Sequence, residues 1–297
     1  MKFVLAGASG FLGTALVEHL RDEGHDVVRL VRSDPTGPDQ RRWDPAAGEL
    51  DPAHLDGADA VFNLGGVPIA RWPWTRSYRE QIVSSRLEPT GTLAETIADL
   101  DAKPALVSTS GVNVYGFDRG DEKIDETSET GSGFLADVCR QWEDATAPAA
   151  DAGARVAIMR AAPVLHGSGG VLKLAKLPFR LGLGGRLGGG QQWFPSISLR
   201  DYLAAATLLA TDTSLSGVFN LVAPVPATNA DFTAAMGHRL KRPTVIPVPA
   251  FALKTAAGEQ AGMLLGSLHI TPERLLLAGF SFADPTVEDE VNHAFAA

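Results

Sequence analysis

The chain opens on an apolar run, Phe3 to Ala6, with the length of a buried strand. Glycines follow at 7, 10 and 13. Past them the apolar period changes. Leu12, Ala15, Leu16, His19 and Leu20 fall at helical spacing, and Gly24 stands where a helix C-terminal glycine belongs. The alternation then repeats. Residues 27–31, 59–64, 105–110 and 155–160 read as strands, and a short strand near Arg42–Trp43 interrupts the turn-rich stretch 34–58. Thr75 reads as the N-cap of a long helix that runs through Arg86, past Pro89, to about Leu100, where Lys103-Pro104 breaks it. Phe134 to Ala150 is the next helix. Strands alternating with helices predict a parallel, doubly wound sheet.

The rest of the chain has another character. Residues 182–190, Gly-Leu-Gly-Gly-Arg-Leu-Gly-Gly-Gly, read as a mobile loop. It lacks the Gly-Lys-Ser/Thr ending of a phosphate-hydrolysing loop. Helix is expected over 200–210, strand over 218–222, and a capping pair, Thr228 and Asp231, opens a helix to about Leu240. Thr271-Pro272-Glu273 reads as a cap, a first-turn proline and an acidic first turn, and 286–296 as a final helix. The expected fold class is α/β. The doubly wound parallel sheet occupies 1–165, its core continuing through parts of 195–225, and a small C-terminal α+β region occupies 166–297.

The three glycines span a strand-to-helix turn, which gives them a chemistry. Gly7 permits the tight turn, Gly10 carries no side chain to hold a pyrophosphate off the backbone, and Gly13 lets the helix pack close to the strand. The helix start then offers backbone N–H groups and a positive dipole end to phosphate. Ser9, Phe11 and Leu12 complete this turn. The tip of the second strand selects the dinucleotide. Arg32 and Ser33 stand there, with no carboxylate before Asp34. A guanidinium suits a ribose 2′-phosphate, so NADP is expected ahead of NAD, and Asp34 is the residue that pulls the other way. The carboxyl ends of the next strands, Asn63-Leu64-Gly65-Gly66 and Ser108-Thr109, add to the cofactor set.

Bulk properties narrow the field. The chain has 297 residues and a net charge of −9, which argues against a nucleic-acid partner. Its one cysteine, Cys139, cannot form a disulfide within the chain, which fits a reducing cytoplasm. The first residues run straight into a strand rather than a signal peptide, and no apolar stretch is long enough for a bilayer, so no membrane role is expected. The histidines form no metal-spaced cluster, and no metal is expected.

Three segments, Gly-Ala-Ser-Gly-Phe-Leu-Gly (7–13), Val-Phe-Asn-Leu-Gly-Gly (61–66) and Ser-Gly-Val-Asn-Val-Tyr-Gly (110–116), resemble the extended short-chain dehydrogenase/reductases. Residues 134–143, 181–193 and 242–253 narrow the likeness to an atypical subgroup, the NAD-dependent epimerase/dehydratase-like or nucleoside-diphosphate-sugar epimerase proteins. That resemblance covers nearly the whole chain. It implies a Rossmann domain, a substrate region, and a family-specific C-terminal segment over about 245–297. It also implies hydride transfer assisted by Ser, Tyr and Lys, the Tyr moving the proton and the Lys lowering its pKa. Ser110 matches the serine. With Glu143 at the family's downstream glutamate, Leu135 takes the Tyr position and Cys139 the Lys position. Neither can do that work, and no other cation is evident nearby in sequence. Tyr115 is the replacement candidate for the proton, against the plainer role of pocket packing. Arg186, Gln191 and Gln192 are the candidates for an anionic or polar substrate.

Two classes of function follow. One is an NADP-dependent oxidoreductase or sugar-nucleotide epimerase, monomeric or homodimeric, acting on a small polar molecule with a rearranged acid/base. The other is a non-catalytic NADP-binding or redox-sensing protein.

Overall fold

The computed structural model describes residues 1–296. Its first half alternates as the apolar period requires: β1 (Lys2–Ala6), α1 (Phe11–Asp22), β2 (Asp26–Val31), β3 (Gln40–Arg42), β4 (Ala60–Asn63), α2 (Arg76–Asp99), β5 (Ala105–Gly111), β6 (Lys123–Ile124), α3 (Phe134–Asp144), α4 (Ala147–Asp151) and β7 (Val156–Ala161). There follow β8 (Val164–Leu165), α5 (Gly170–Arg180), β9 (Ile197–Ser198), α6 (Leu199–Thr211), β10 (Gly217–Leu221), α7 (Asn229–Leu240), α8 (Ala250–Ala257), α9 (Gly262–Leu265), β11 (His269–Ile270), α10 (Glu273–Leu277) and α11 (Val287–Ala294).

Two compact units share these elements. The first holds Met1–Gly111, Asp137–Arg160 and Leu203–Val218, and the second holds Val112–Ala136, Ala161–Tyr202 and Phe219–Ala297. Residues 203–218 fall in the first unit, and 195–202 and 219–225 in the second. Residues 112–136, placed before any sequence boundary at 165, cluster with the second unit.

The sheet has seven strands in the order β10-β7-β5-β4-β1-β2-β3. β1 pairs with β2 and with β4, and β4 with β5, all parallel. Strands buried on both faces are continuous apolar runs, which is why Phe3–Ala6 and Val61–Phe62 show no alternation. Val4, Val61 and Leu106 meet Leu93, Ala94 and Ile97 of α2 on one face of this unit. Thr75 caps α2, its hydroxyl accepting from Tyr78 N.

In the second unit α5, α7 and α11 share a core of Leu172, Phe179, Phe232, Met236 and Val291. α7 and α11 each open on a capping box, Thr228 with Asp231 and Thr286 with Asp289. Two expectations change here. Thr271 does not cap α10. Its N–H goes to Ile124 O, and the Glu126 carboxylate accepts from Arg274 N in the helix's first turn. The stretch 182–190 is not a free loop either. Gly188 N donates to Val248 O and Val248 N to Arg186 O, and a Cβ at Gly185 would run into Ile246 O.

Candidate functional site

The turn after β1 has the form that the glycine spacing predicts. Gly7 has φ +82°, and a Cβ there would stand 2.8 Å from the carbonyl carbon of Leu64. A Cβ on Gly13 would collide with Gly7 O, so α1 closes onto the strand only with glycine at that place. Gly10 differs: a Cβ there meets nothing nearer than 3.5 Å, so the fold leaves open the space that its side chain would fill. Gly10 is also the N-cap of α1 and provides no side-chain cap, and the first turn carries no acidic residue. This cradle fits a phosphate group.

The tip of β2 fits the same ligand. Arg32 and Ser33 are exposed, and the Arg32 guanidinium has no partner among the described residues. Asp34, the carboxylate that favoured NAD, is turned to Arg42 at 3.1 Å. Arg42 lies opposite Val31 in the β2–β3 ladder. The sequence places a short strand near Arg42–Trp43 but not this pairing, because a three-residue edge strand has too short a period to fix its register.

At the carboxyl end of β4, Asn63 is wholly buried. Its Nδ2 donates to Thr90 Oγ1 at 2.7 Å and to Ser108 Oγ at 3.2 Å, while its Oδ1 has no partner. Thr90 Oγ1 also accepts from Trp142 Nε1 at 2.8 Å and donates to Arg86 O. So Asn63 bonds Ser108 directly and is held in place by Thr90, which Trp142 anchors in turn, two residues whose role no spacing signalled. Leu64 N donates to Ala6 O, which locks the β4 turn to the β1 turn and brings Gly65 beside Gly7. Thr109 follows in β5, half-buried.

Ser110 is buried, and its hydroxyl donates to Glu143 Oε1 at 2.7 Å. Arg160 grips the same carboxylate with Nε at 2.9 Å and Nη2 at 2.7 Å. A cation therefore does serve the Ser110 neighbourhood, contrary to the sequence reading. It comes from β7, seventeen residues beyond Glu143, where no local pattern links the two. Cys139 also bonds Ser110 and the Gly111 backbone. Burial, then the Glu143 charge, push its thiol up to about 11, so the Lys position carries a neutral group. Leu135, at the Tyr position, is buried and apolar.

Tyr115 is fully buried. Its hydroxyl lies 2.8 Å from Asn220 Oδ1 and 3.1 Å from Asp125 O, both acceptors, so its proton is committed. Asn220 Nδ2 in turn donates to Thr271 O. Of the substrate candidates, Arg186 and Gln191 are exposed. Gln192 is not free: its Nε2 donates to Leu187 O at 3.0 Å and to Leu264 O at 3.3 Å.

A parallel doubly wound sheet with a glycine turn at its first strand and an uncapped helix behind it defines a dinucleotide-binding protein of the Rossmann class. Comparison with known proteins is specific. The NAD dependent epimerase/dehydratase family matches residues 3–166, and DUF1731, a domain of unknown function, matches residues 248–294. The chain belongs to the NAD-dependent epimerase/dehydratase family. An epimerase family protein of Mycobacterium bovis is 40% identical over 292 residues, covering 98% of this chain and 96% of its own. The crystal structure of human epimerase family protein SDR39U1 with NADPH is similar at a TM-score of 0.89 and 33% identity, over 99% of each chain. A nucleoside-diphosphate sugar epimerase of Corynebacterium glutamicum is 36% identical with a TM-score of 0.81, over 99% of this chain and 58% of that one. Among the described residues no helix is long and apolar enough to cross a membrane.

Proposed function

We propose that the chain is an NADP(H)-dependent enzyme, an oxidoreductase or sugar-nucleotide epimerase, acting on a small polar substrate in the cytoplasm. One observation carries the reading: an unpartnered Arg32 at the tip of β2 beside an uncapped, glycine-floored helix start. NADPH in the similar human protein supports it. Gly7, Gly10 and Gly13 would take the pyrophosphate, Arg32 and Ser33 the 2′-phosphate, and Asn63 to Gly66 with Ser108 and Thr109 would line the nicotinamide side. The cofactor, when bound, supplies or accepts a hydride. Ser110 orients the reacting oxygen of the substrate, and the Glu143 carboxylate, clamped by Arg160, fixes the serine rotamer. Tyr115 holds the wall through Asn220, and it delivers a proton only when that bond opens. Arg186, Gln191 and Gln192 take the polar part of the substrate.

A second reading, NADP binding without turnover, is favoured by the buried Leu135 and Cys139 at the Tyr and Lys positions. A sensor of that kind would report cofactor occupancy rather than thiol oxidation, because a buried, neutral thiol is inert.

Thermal melts with each dinucleotide test the cofactor. NADPH at one hundred times its dissociation constant stabilises the fold by about 2.7 kcal/mol. NADH shifts the melt less at equal concentration, and Arg32→Ala removes the difference. Equal shifts in the parent protein overturn the preference. A panel of carbonyls and sugar nucleotides then separates enzyme from sensor.

A further inference from the structure

We propose that Arg86 is an anion-binding residue at the carboxyl end of β4, taking a phosphate or carboxylate group of a ligand seated beside Gly65 and Gly66. The inference rests on the dinucleotide reading of the β1–α1 turn, and it concerns a residue outside that turn.

Arg86 stands one turn beyond Ile82 in α2. Its Nη1 donates to Ile82 O at 3.0 Å and its Nη2 to Val67 O at 3.2 Å. The guanidinium stands over the Trp142 ring, 5.1 Å from the centroid. A Cβ on Gly66 would lie 3.0 Å from Arg86 Cζ, so the charge rests directly on the Gly65-Gly66 turn. In a parallel doubly wound sheet this end of the strands is where ligands bind.

The group is under-compensated. A guanidinium has five N–H donors, and two carbonyl bonds leave three without a partner. Among the described residues no carboxylate pairs with it. Other arginines of the same unit do face carboxylates: Arg29 with Asp39, Arg42 with Asp34, Arg160 with Glu143. Burial holds the Arg86 pKa below the ordinary arginine value, and the Cys139 thiol and Tyr78 phenol, neither of them a carboxylate, oppose it less strongly. An arginine stays charged even so. A half-buried cation answered only by carbonyl dipoles and a ring face is costly unless an anion completes it.

Its field also reaches the middle of α3. Arg86 acts to lower the Cys139 thiol pKa, against the larger effect of burial. Cys139 in turn bonds Ser110. Beside Arg160 of β7, α2 thus brings a second positive charge toward position 139, on a guanidinium bonded to two backbone carbonyls.

Fluorescence titration with NADPH, which needs no turnover, tests this on the full chain. Arg86→Gln is expected to weaken NADPH on the order of tenfold to a hundredfold, the loss of a hydrogen bond to a charged group. Arg86→Lys keeps most of the affinity. If NADPH is unaffected, inorganic pyrophosphate added at saturating NADPH decides the source of the anion. A further rise in melting temperature that Arg86→Gln abolishes assigns the residue to the substrate side. A folded Arg86→Gln protein with both responses equal to the parent overturns the proposal. Should Arg86→Gln not fold, Cys139→Lys replaces it. A second cation beside an existing one leaves NADPH affinity unchanged or weaker, whereas tenfold tighter binding shows that the charge was missing and overturns the proposal. A parent protein that does not bind NADPH defeats the dinucleotide reading instead, and the pyrophosphate response alone then decides Arg86.

Discussion

The Glu290 carboxyl is buried completely, with Ser196 Oγ donating to its Oε2 at 2.5 Å and no partner for Oε1. Burial first, then the charges of Asp201, Asp284 and Asp289, raise its pKa to about 8. The unfolded chain loses this proton near 4.5, the folded chain near 8. Between those values the folded state binds more protons, so stability falls as pH rises through the window and is level outside it. The effect is on the order of a few kcal/mol. Glu290→Gln should raise the melting temperature at pH 8 much more than at pH 5, and an equal gain at both would show that the group is not protonated. Ser110 and Tyr115 divide differently. Ser110→Ala is expected to abolish hydride transfer, while Tyr115→Phe loses the bond to Asn220, costing about 1 kcal/mol of stability, and keeps measurable turnover. Loss of turnover in the phenylalanine variant at unchanged stability would make Tyr115 the proton donor. At this scale the close backbone approach at Gly7 and Gly13 was legible because local spacing sets it. Arg86, Thr90, Trp142 and Arg160 were not, because their partners lie on other elements and no period connects them.

Elements with a repeat of their own were read closely. α2 begins at Thr75 and passes Pro89, and α7 has its Thr228–Asp231 box, since caps and periodicity are both local. The two-residue strands β6, β8, β9 and β11 have no period to read. The start of α10 was misread because its orphan N–H is met by Glu126, 148 residues earlier in the chain. Composition misled in 182–190, where glycine serves close approach as well as freedom. Amide exchange should find Gly188 and Val248 protected in the ligand-free protein, and exchange at the rate of an open loop would show that their bonds do not persist. Arg155 ties β7 to the end of α6 through the carbonyls of Leu209, Ala210 and Leu215. Arg155→Met should lower stability by roughly 1.5–3 kcal/mol, read from denaturant midpoints at constant slope.

For the molecule as a whole, the strand–helix alternation sufficed for the parallel sheet, but not for the path of the chain between units. Segments 112–136 and 203–218 each fall in a different unit from the residues on both sides of them. The C-terminal stretch matched as a domain of unknown function, 248–294, does not stand apart from the unit that holds it. Thr271 O receives Asn220, Ser196 reaches Glu290, and the Asp201 carboxylate accepts from the backbone N–H groups of Ala283 and Asp284. Each partner outside 248–294 is buried.

For protein engineering, those bonds set the size of the exchangeable part. A chimaera that grafts a relative's last fifty residues onto this chain inherits one half of several buried polar pairs and must find the other half in place. Ser196, Asp201, Asn220 and the Tyr115–Asp125–Glu126 stretch therefore have to travel with the graft. Evolution meets the same restriction: recombination within the second unit is tolerated only between parents that agree at these positions, which couples the C-terminal segment's history to that of residues as far as 148 positions upstream.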